Sequence, residues 1–123
     1  MQVRIARPTR DLAAACAFYE LLELPVLTSF EDHDGYSGVV FGLPDSSRQL
    51  ELVAHEGEHP APTSEDQLVL YLGSVETVSR LSARIRDAGF EPVIAPNPYW
   101  ARNGAACHVD PDGYSLVLSP ESW

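Results

Sequence analysis

The order of predicted strands and helices in the first half of this 123-residue chain recurs in its second half. Leu50-Glu51-Leu52 is matched by Leu116-Val117-Leu118, 66 residues later, and the opening strands around Arg4 and Gln67 are 63 residues apart. Repetition at nearly constant spacing indicates duplication of one unit of about 60 residues. Because one such unit cannot bury both faces of its sheet, we expect a single domain, residues 1–123, with helices on one face and a concave opposite face.

Each half is predicted to follow the order β-α-β-β-β, read from hydrophobic periodicity and turn residues. The first module, about residues 1–56, has predicted strands at 2–7, Val26–Glu31, Tyr36–Phe41 and Arg48–His55, and a helix capped by Thr9 or Asp11 that ends near Leu22. A polar linker at 57–65 follows. The second module, about residues 66–123, has predicted strands at Gln67–Leu72, Glu91–Ala95, Ala105–Val109 and Tyr114–Ser119, a helix from Ser74 to Ala88, and a loop at 96–104.

Composition excludes several classes of function. The formal charge of −10 argues against nucleic-acid binding, because few cations are present to replace the counterions of a phosphate backbone. No segment approaches the ~20 apolar residues that a membrane span requires, and the charged N-terminus does not resemble a signal peptide. We therefore expect a cytoplasmic protein that binds neither nucleic acid nor membrane.

Two sequence motifs resemble those of a known superfamily. Asp11-Leu12 followed by Ala17-Phe18-Tyr19 is similar to the module opening of the vicinal oxygen chelate (glyoxalase / bleomycin resistance / extradiol dioxygenase) superfamily. Asp110-Pro111-Asp112-Gly113-Tyr114 is similar to its module ending. The resemblance, to a small single-domain member, implies an α+β fold in which tandem βαβββ modules form a cupped mixed sheet with helices on the outer face. It also implies a homodimer.

The resemblance further identifies the positions at which enzymes of this superfamily hold a divalent metal, on the first and last strand of each module. In this sequence these positions are Arg4, Glu51, Gln67 and Val117. Glu51 is a competent ligand and Gln67 a weak one, whereas arginine has no lone pair to offer and valine has no donor atom. We therefore favour no metal or other cofactor. Arg4 and Glu51 either pair across the cavity in place of a metal, or they point into solvent or form an ordinary ion pair.

Histidines leave a second arrangement open. His55 follows Glu51 by four residues on a predicted strand, so both share a face. If the Asp110–Gly113 turn closes an even hairpin, His108 lies opposite Ser115 and also faces the cavity. A re-sited divalent metal would then use Glu51, His55, Gln67 and His108, or His108 would act as a general base.

Aromatic residues are further candidates for the ligand site. Tyr99 and Trp100, with Arg102, offer stacking surfaces and a planar cation. The alternative is that Trp100 fills the core or a dimer interface. Phe30, Tyr36 and Phe41 either line the cavity or pack in the core.

These observations and the resemblance predict a small-molecule binding protein that sequesters an antibiotic or a metabolite in a metal-free cleft. The alternative is a metal-dependent enzyme of the same superfamily: a lyase, isomerase, transferase or dioxygenase. A third possibility is a structural or regulatory module whose pocket is filled by side chains. The predicted ligand-binding residues are Arg4, Glu51, His55, Gln67, Tyr99, Trp100, Arg102 and His108.

Overall fold

The computed structural model describes residues 1–57 and 59–123, which divide into two compact units, Met1–Pro60 and Ala61–Trp123. Both units combine strands with few helices, as the predicted α+β class requires. Within the described residues, no helix has the length and apolar character needed to cross a membrane.

The first unit is a four-stranded sheet with one helix, and its element order β-α-β-β-β is the predicted one. Its elements are β1 (Val3–Pro8), α1 (Leu12–Glu20), β2 (Val26–His33), β3 (Tyr36–Gly42) and β4 (Arg48–His55). The strands lie in the order β1-β4-β3-β2, and β1 runs parallel to β4 while the other neighbours are antiparallel. Asp11 begins α1, because its side chain accepts a hydrogen bond from the Ala14 N–H.

Helix α1 covers one face of this sheet. Its buried residues Phe18 and Tyr19 pack toward Phe41, Leu50 and Leu52, all of which are almost fully inaccessible. Because side chains alternate along a strand, the residues of β4 between these leucines point to the opposite face. The core therefore lies on the α1 side, and the other face is available for a different use.

The second unit has a three-stranded sheet and two helices. Its elements are β5 (Gln67–Tyr71), α2 (Val75–Asp87), α3 (Pro98–Arg102), β6 (Ala106–Val109) and β7 (Ser115–Ser119), with strand order β5-β7-β6. Strand β5 runs parallel to β7, and β6 is antiparallel to β7. Helix α2 has Ser74 as its N-cap and buries Val78, Leu81 and Ile85.

Two segments of the second unit differ from the prediction. Residues 91–95 do not form a strand, since only Val93 makes a bridge, to Cys107. Pro92 has no N–H to donate to a ladder, and Ile94 is 95% exposed, so this segment gains little from pairing. The predicted loop 96–104 contains α3, which begins at Pro98 after Asn97 has capped the Tyr99 N–H.

The loop between β6 and β7 also differs, and it reverses a predicted side-chain direction. The N–H of Asp110 donates to the Tyr114 carbonyl, so three residues form the loop, and Gly113 adopts a φ of 96°. An odd loop shifts the register by one residue and sends every side chain of the strand to the other face. His108 therefore lies opposite Leu116, not Ser115 as predicted.

The Phe30 side chain on β2 packs over Gly38 of the neighbouring strand β3. It lies opposite Gly38 in the β2–β3 pair, and a Cβ added to Gly38 would stand 2.5 Å from Phe30 Cζ and 2.9 Å from the Leu52 carbonyl oxygen. Only glycine leaves room for the aromatic ring at this distance.

We expect Gly38→Ala to lower the free energy of unfolding by about 1–3 kcal/mol, because the methyl group must displace the Phe30 ring. In a Phe30→Ala background the same change should cost less, since one of the two close contacts no longer exists. Urea unfolding of the four proteins in this double-mutant cycle measures the difference. An equal cost in both backgrounds would show that the ring is not what excludes a side chain.

Candidate functional site

The face of the first sheet opposite α1 collects polar and aromatic side chains, and we call it the open face. Strand register places its members on the same side of β1, β2, β3 and β4. The residues that define it are Arg4, Phe30, Tyr36, Gln49, Glu51 and His55.

One end of the open face is an ion pair. Arg4 Nη1 lies 3.3 Å from Glu51 Oε1, and Arg4 Nε donates to Gln49 Oε1 at 2.8 Å. Arg4 and Glu51 thus pair on one face of the sheet, and their place across a ligand cavity stays a prediction. The sequence reasoning missed Gln49, although its position two residues before Glu51 on the same strand was a sufficient signal.

The other end is aromatic. Tyr36 and His55 are directly opposite in the β3–β4 pair, and their rings stack with centroids 4.1 Å apart and planes 18° from parallel. Tyr36 is 42% exposed. His55 Nδ1 is buried and has no hydrogen-bond partner among the described residues. A buried nitrogen without a partner costs about 1–3 kcal/mol, so a hydrogen-bonding group at this position would be stabilising.

Glu51 and His55 share a face, as predicted, but they are far apart. Four residues along a strand span about 13 Å. Donor atoms around one ion stand only about 2–2.6 Å from it, so these two side chains cannot complete a common coordination sphere.

A cleft of about 410 Å³ opens in the first unit where β1 and β4 end and β3 begins. The described residues that line it are Thr9, Arg10, Gly35, Ser37, Ala54, His55, Glu56, Gly57 and His59. Its size is that of a site for a small organic molecule. His55 belongs both to this cleft and to the open face.

The face of the second sheet that carries Val117, which is equivalent to the open face of the first sheet, is apolar. Val117 lies between Val69 of β5 and Cys107 of β6, and these residues form a buried cluster with Trp100. Trp100 is 8% exposed, so its packing matches the predicted alternative in which it fills the interior. Burial raises the pKa of the Cys107 thiol, which keeps it protonated and unreactive.

The remaining predicted ligand-binding residues of this unit are less enclosed. Gln67 stands on β5 opposite Ser115 and is half-buried. Tyr99 is 36% exposed and donates to Glu121 Oε2 at 3.2 Å, and Arg102, at the end of α3, is exposed. Ligand contact by Gln67, Tyr99, Trp100 and Arg102 stays a prediction.

His108 faces helix α2, and its predicted place on the cavity side is wrong. Its side chain is fully buried, with Nδ1 2.9 Å from the Phe90 carbonyl oxygen and Nε2 2.8 Å from Ser82 Oγ. Because a carbonyl only accepts, Nδ1 carries the proton and Nε2 accepts from the hydroxyl. Both ring nitrogens are satisfied within the core, which leaves neither for a metal or a substrate.

The residues at the superfamily's metal positions do not fit a divalent ion. In the first unit, Arg4 brings a positive charge to Glu51, the one strong ligand of the set. In the second unit, Val117 is fully buried among apolar side chains. Among residues 1–57 and 59–123, no three His, Cys, Asp or Glu side chains come together in a group that could hold a metal ion.

Comparison with known proteins identifies the family. Residues 3–53 match the YycE-like N-terminal domain, and residues 65–120 match the YycE-like C-terminal domain. The chain is 38% identical over 120 residues to the uncharacterized protein YycE of Bacillus subtilis, covering 95% of this chain and 86% of that protein. The chain belongs to the YycE-like family.

Solved structures confirm the fold of this YycE-like chain. The crystal structure of Bacillus subtilis YycE, described as a protein of unknown function of the glyoxalase/fosfomycin-resistance type, superposes with a TM-score of 0.93 at 34% identity, over 99% of this chain and 90% of that one. Leishmania major glyoxalase I gives 0.73 at 22% identity, over 98% and 86%. The fosfomycin resistance protein FosX of Mesorhizobium loti gives 0.76 at 14% identity, over 99% and 92%. The predicted superfamily and the glyoxalase/bleomycin-resistance fold class are therefore confirmed.

The buried His108 generates a prediction about pH. Burial is the main cause that lowers its pKa below the ordinary 6.5, and the neighbouring Arg86 acts in the same direction. The unfolded chain therefore binds a proton near pH 6.5 that the folded chain binds only at lower pH. We expect the stabilisation to be complete above pH 6.5 and to fall as the pH drops below it, by up to about 1.4 kcal/mol per pH unit.

Urea unfolding of the wild type and of His108→Gln between pH 7.5 and 5.5 tests this expectation. The variant should be less stable at pH 7.5 and should show a flatter dependence on pH. His33→Gln, which alters an exposed histidine, is the matched control and should keep the wild-type slope. A wild-type slope in His108→Gln would contradict the assignment.

Proposed function

We propose that this YycE-like protein is a metal-independent small-molecule binding protein whose ligand lies on the open face of the first sheet. The observation that supports this most is the Arg4–Glu51 ion pair at two of the positions where the superfamily's enzymes hold their metal. The guanidinium supplies positive charge there without an ion.

Arg4 retains binding capacity after its contacts within the protein. A guanidinium has five N–H donors, and the two hydrogen bonds to Gln49 and Glu51 use two of them. The described residues provide no partner for the other three, and the Arg4 side chain is 48% exposed. A polar group of a ligand can therefore pair with Arg4 directly.

The second unit supports metal independence in a different way. A carboxylate at position 117 would be buried beside Trp100 and Cys107, where an unpaired charge is costly. Of the buried residues of this cluster only Cys107 carries a possible ligand atom, and burial raises the pKa of its thiol and so favours the protonated form, which does not bind an ion.

The similarity to glyoxalase/fosfomycin-resistance proteins makes an antibiotic or a metabolite the proposed ligand. We propose sequestration rather than turnover, because the hydrogen bond between His108 and Ser82 lies on the α2 side of the second sheet with the imidazole fully buried, away from the open face. A homodimer and a cytoplasmic location, predicted from the sequence, remain part of this proposal.

Metal content tests the proposal. We expect protein purified without a histidine tag to contain far less than one equivalent of manganese, iron, nickel or zinc by elemental mass spectrometry. We also expect thermal unfolding to be unchanged by added divalent ions. An ion present at 100 times its Kd would stabilise the folded protein by about 2.7 kcal/mol, a shift in Tm of roughly 8 °C or more.

Glu51→Gln provides the matched control, since it removes the one strong ligand while keeping the shape of the side chain. If the wild type held a stoichiometric ion and Glu51→Gln lost it, the metal-dependent enzyme would be the correct function. If the ion remained in Glu51→Gln, the metal would lie elsewhere, and the proposal for the open face would need a different metal-independent test, namely ligand binding in the presence of EDTA.

A further inference from the structure

We infer that the ligand of the open face is a planar aromatic or heteroaromatic acid, with its anionic group at Arg4 and its ring system toward Tyr36 and His55. The inference rests on the proposed function and specifies its ligand class. It is carried by the placement of an exposed cation and an exposed aromatic pair at two ends of one sheet face.

The charge that a ligand meets at the ionic end is positive. Arg4 and Glu51 neutralise each other in sum, but their exposures differ threefold, 48% for the arginine side chain and 16% for the glutamate. The carboxylate is mostly covered and already engaged by Arg4, whereas the guanidinium presents three N–H donors without a partner among the described residues. Guanidinium groups bind carboxylates and phosphates strongly because their paired donors match two oxygens.

The formal charge of −10 would by itself favour a cationic ligand. At contact distance the nearest charge decides, since exposed charges farther than about 8–10 Å are largely screened at physiological salt. A cationic group at this end would face Arg4 directly, and the open face therefore selects against it.

The aromatic end offers a flat surface and an unused polar atom. The Tyr36 and His55 rings are nearly parallel, and Tyr36 as a residue is 42% exposed. An aromatic ring of a ligand can stack on the exposed side of Tyr36, because aromatic rings favour offset-stacked contacts. His55 Nδ1 is buried and has no partner in the described structure, so the contact expected with the ligand at this end is stacking on Tyr36.

The surface between the two ends is apolar. Val53 lies between Glu51 and His55 on β4, and its partner Gly38 on β3 has no side chain. Phe30 covers Gly38 from the neighbouring strand. Because the two ends are about 13 Å apart along β4 and Arg4 is a long side chain, a ligand of about two fused or linked rings spans them.

The test uses three probes: 4-biphenylcarboxylate, its uncharged analogue 4-biphenylcarboxamide, and the shorter benzoate. Binding is followed by ligand-observed NMR titration at low ionic strength with EDTA present. We expect the biphenyl acid to bind about tenfold more tightly than the carboxamide, because only the acid forms a charge-assisted pair with Arg4. Benzoate should also bind at least tenfold more weakly, since it cannot reach both ends.

Two variants locate the probe. Arg4→Gln should remove the preference for acid over carboxamide, and Tyr36→Leu should weaken both biphenyl probes by about three- to tenfold. The matched controls are Arg48→Gln, an exposed arginine on the opposite face of the same sheet, and Tyr71→Leu, a tyrosine of equal exposure in the second unit. Both controls should bind like the wild type.

Equal affinity for acid and carboxamide, loss of binding in either control variant, or no detectable binding of any probe would overturn the inference. None of these results would bear on metal independence, which the metal analysis decides. Conversely, a stoichiometric metal at Glu51 in the purified protein would overturn the proposed function even if the biphenyl acid bound, because the EDTA in the titration removes that metal before the acid is added.

Discussion

Each unit of this protein depends on the parallel pairing of its first strand with its last. Ala6 lies opposite Glu51 in the first unit, and Val69 lies opposite Val117 in the second, so the same register recurs in both. Parallel neighbours cannot be joined by a tight turn, and the helix between them covers one face of the sheet as it crosses. The face that the helix does not cover is therefore lined by side chains of the first and last strands.

The two units use that face in different ways. In the first, Arg4 reaches Gln49 and Glu51, and a charged, partly exposed surface results. In the second, Val117 and Trp100 close the equivalent surface with apolar contacts. A duplication that preserved the backbone pairing has therefore diverged in the chemistry of equivalent positions.

Much of this could be predicted from the sequence, because hydrophobic periodicity and helix caps are local signals. The spans of α1, α2 and β4 follow from them, and the Arg4–Glu51 pair follows once the two strands are placed side by side. The orientation of His108 could not be predicted in this way, because it depends on whether the loop at Asp110–Gly113 has an even or odd number of residues. One residue in a turn decides the face of a whole strand.

Other differences have the same origin in non-local contacts. Residues 91–95 have apolar character but form only one bridge, to Cys107. Helix α3 has a local cap at Asn97, but it also depends on the packing of Trp100 against Cys107 and Val117, which are distant in sequence or on other strands. The stacking of Tyr36 on His55 requires the exact partner across two strands, which periodicity alone does not give. Sequence patterns therefore placed the candidate residues on elements, and only the register showed which of them meet.

The apolar cluster around Val117 has a consequence for substitutions at this position. A substitution at Arg4 alone would leave Val117 without a donor atom. A carboxylate side chain in place of Val117 would be buried against Trp100. Its unpaired charge would destabilise the fold. The packing around position 117 therefore resists the introduction of a charged side chain there.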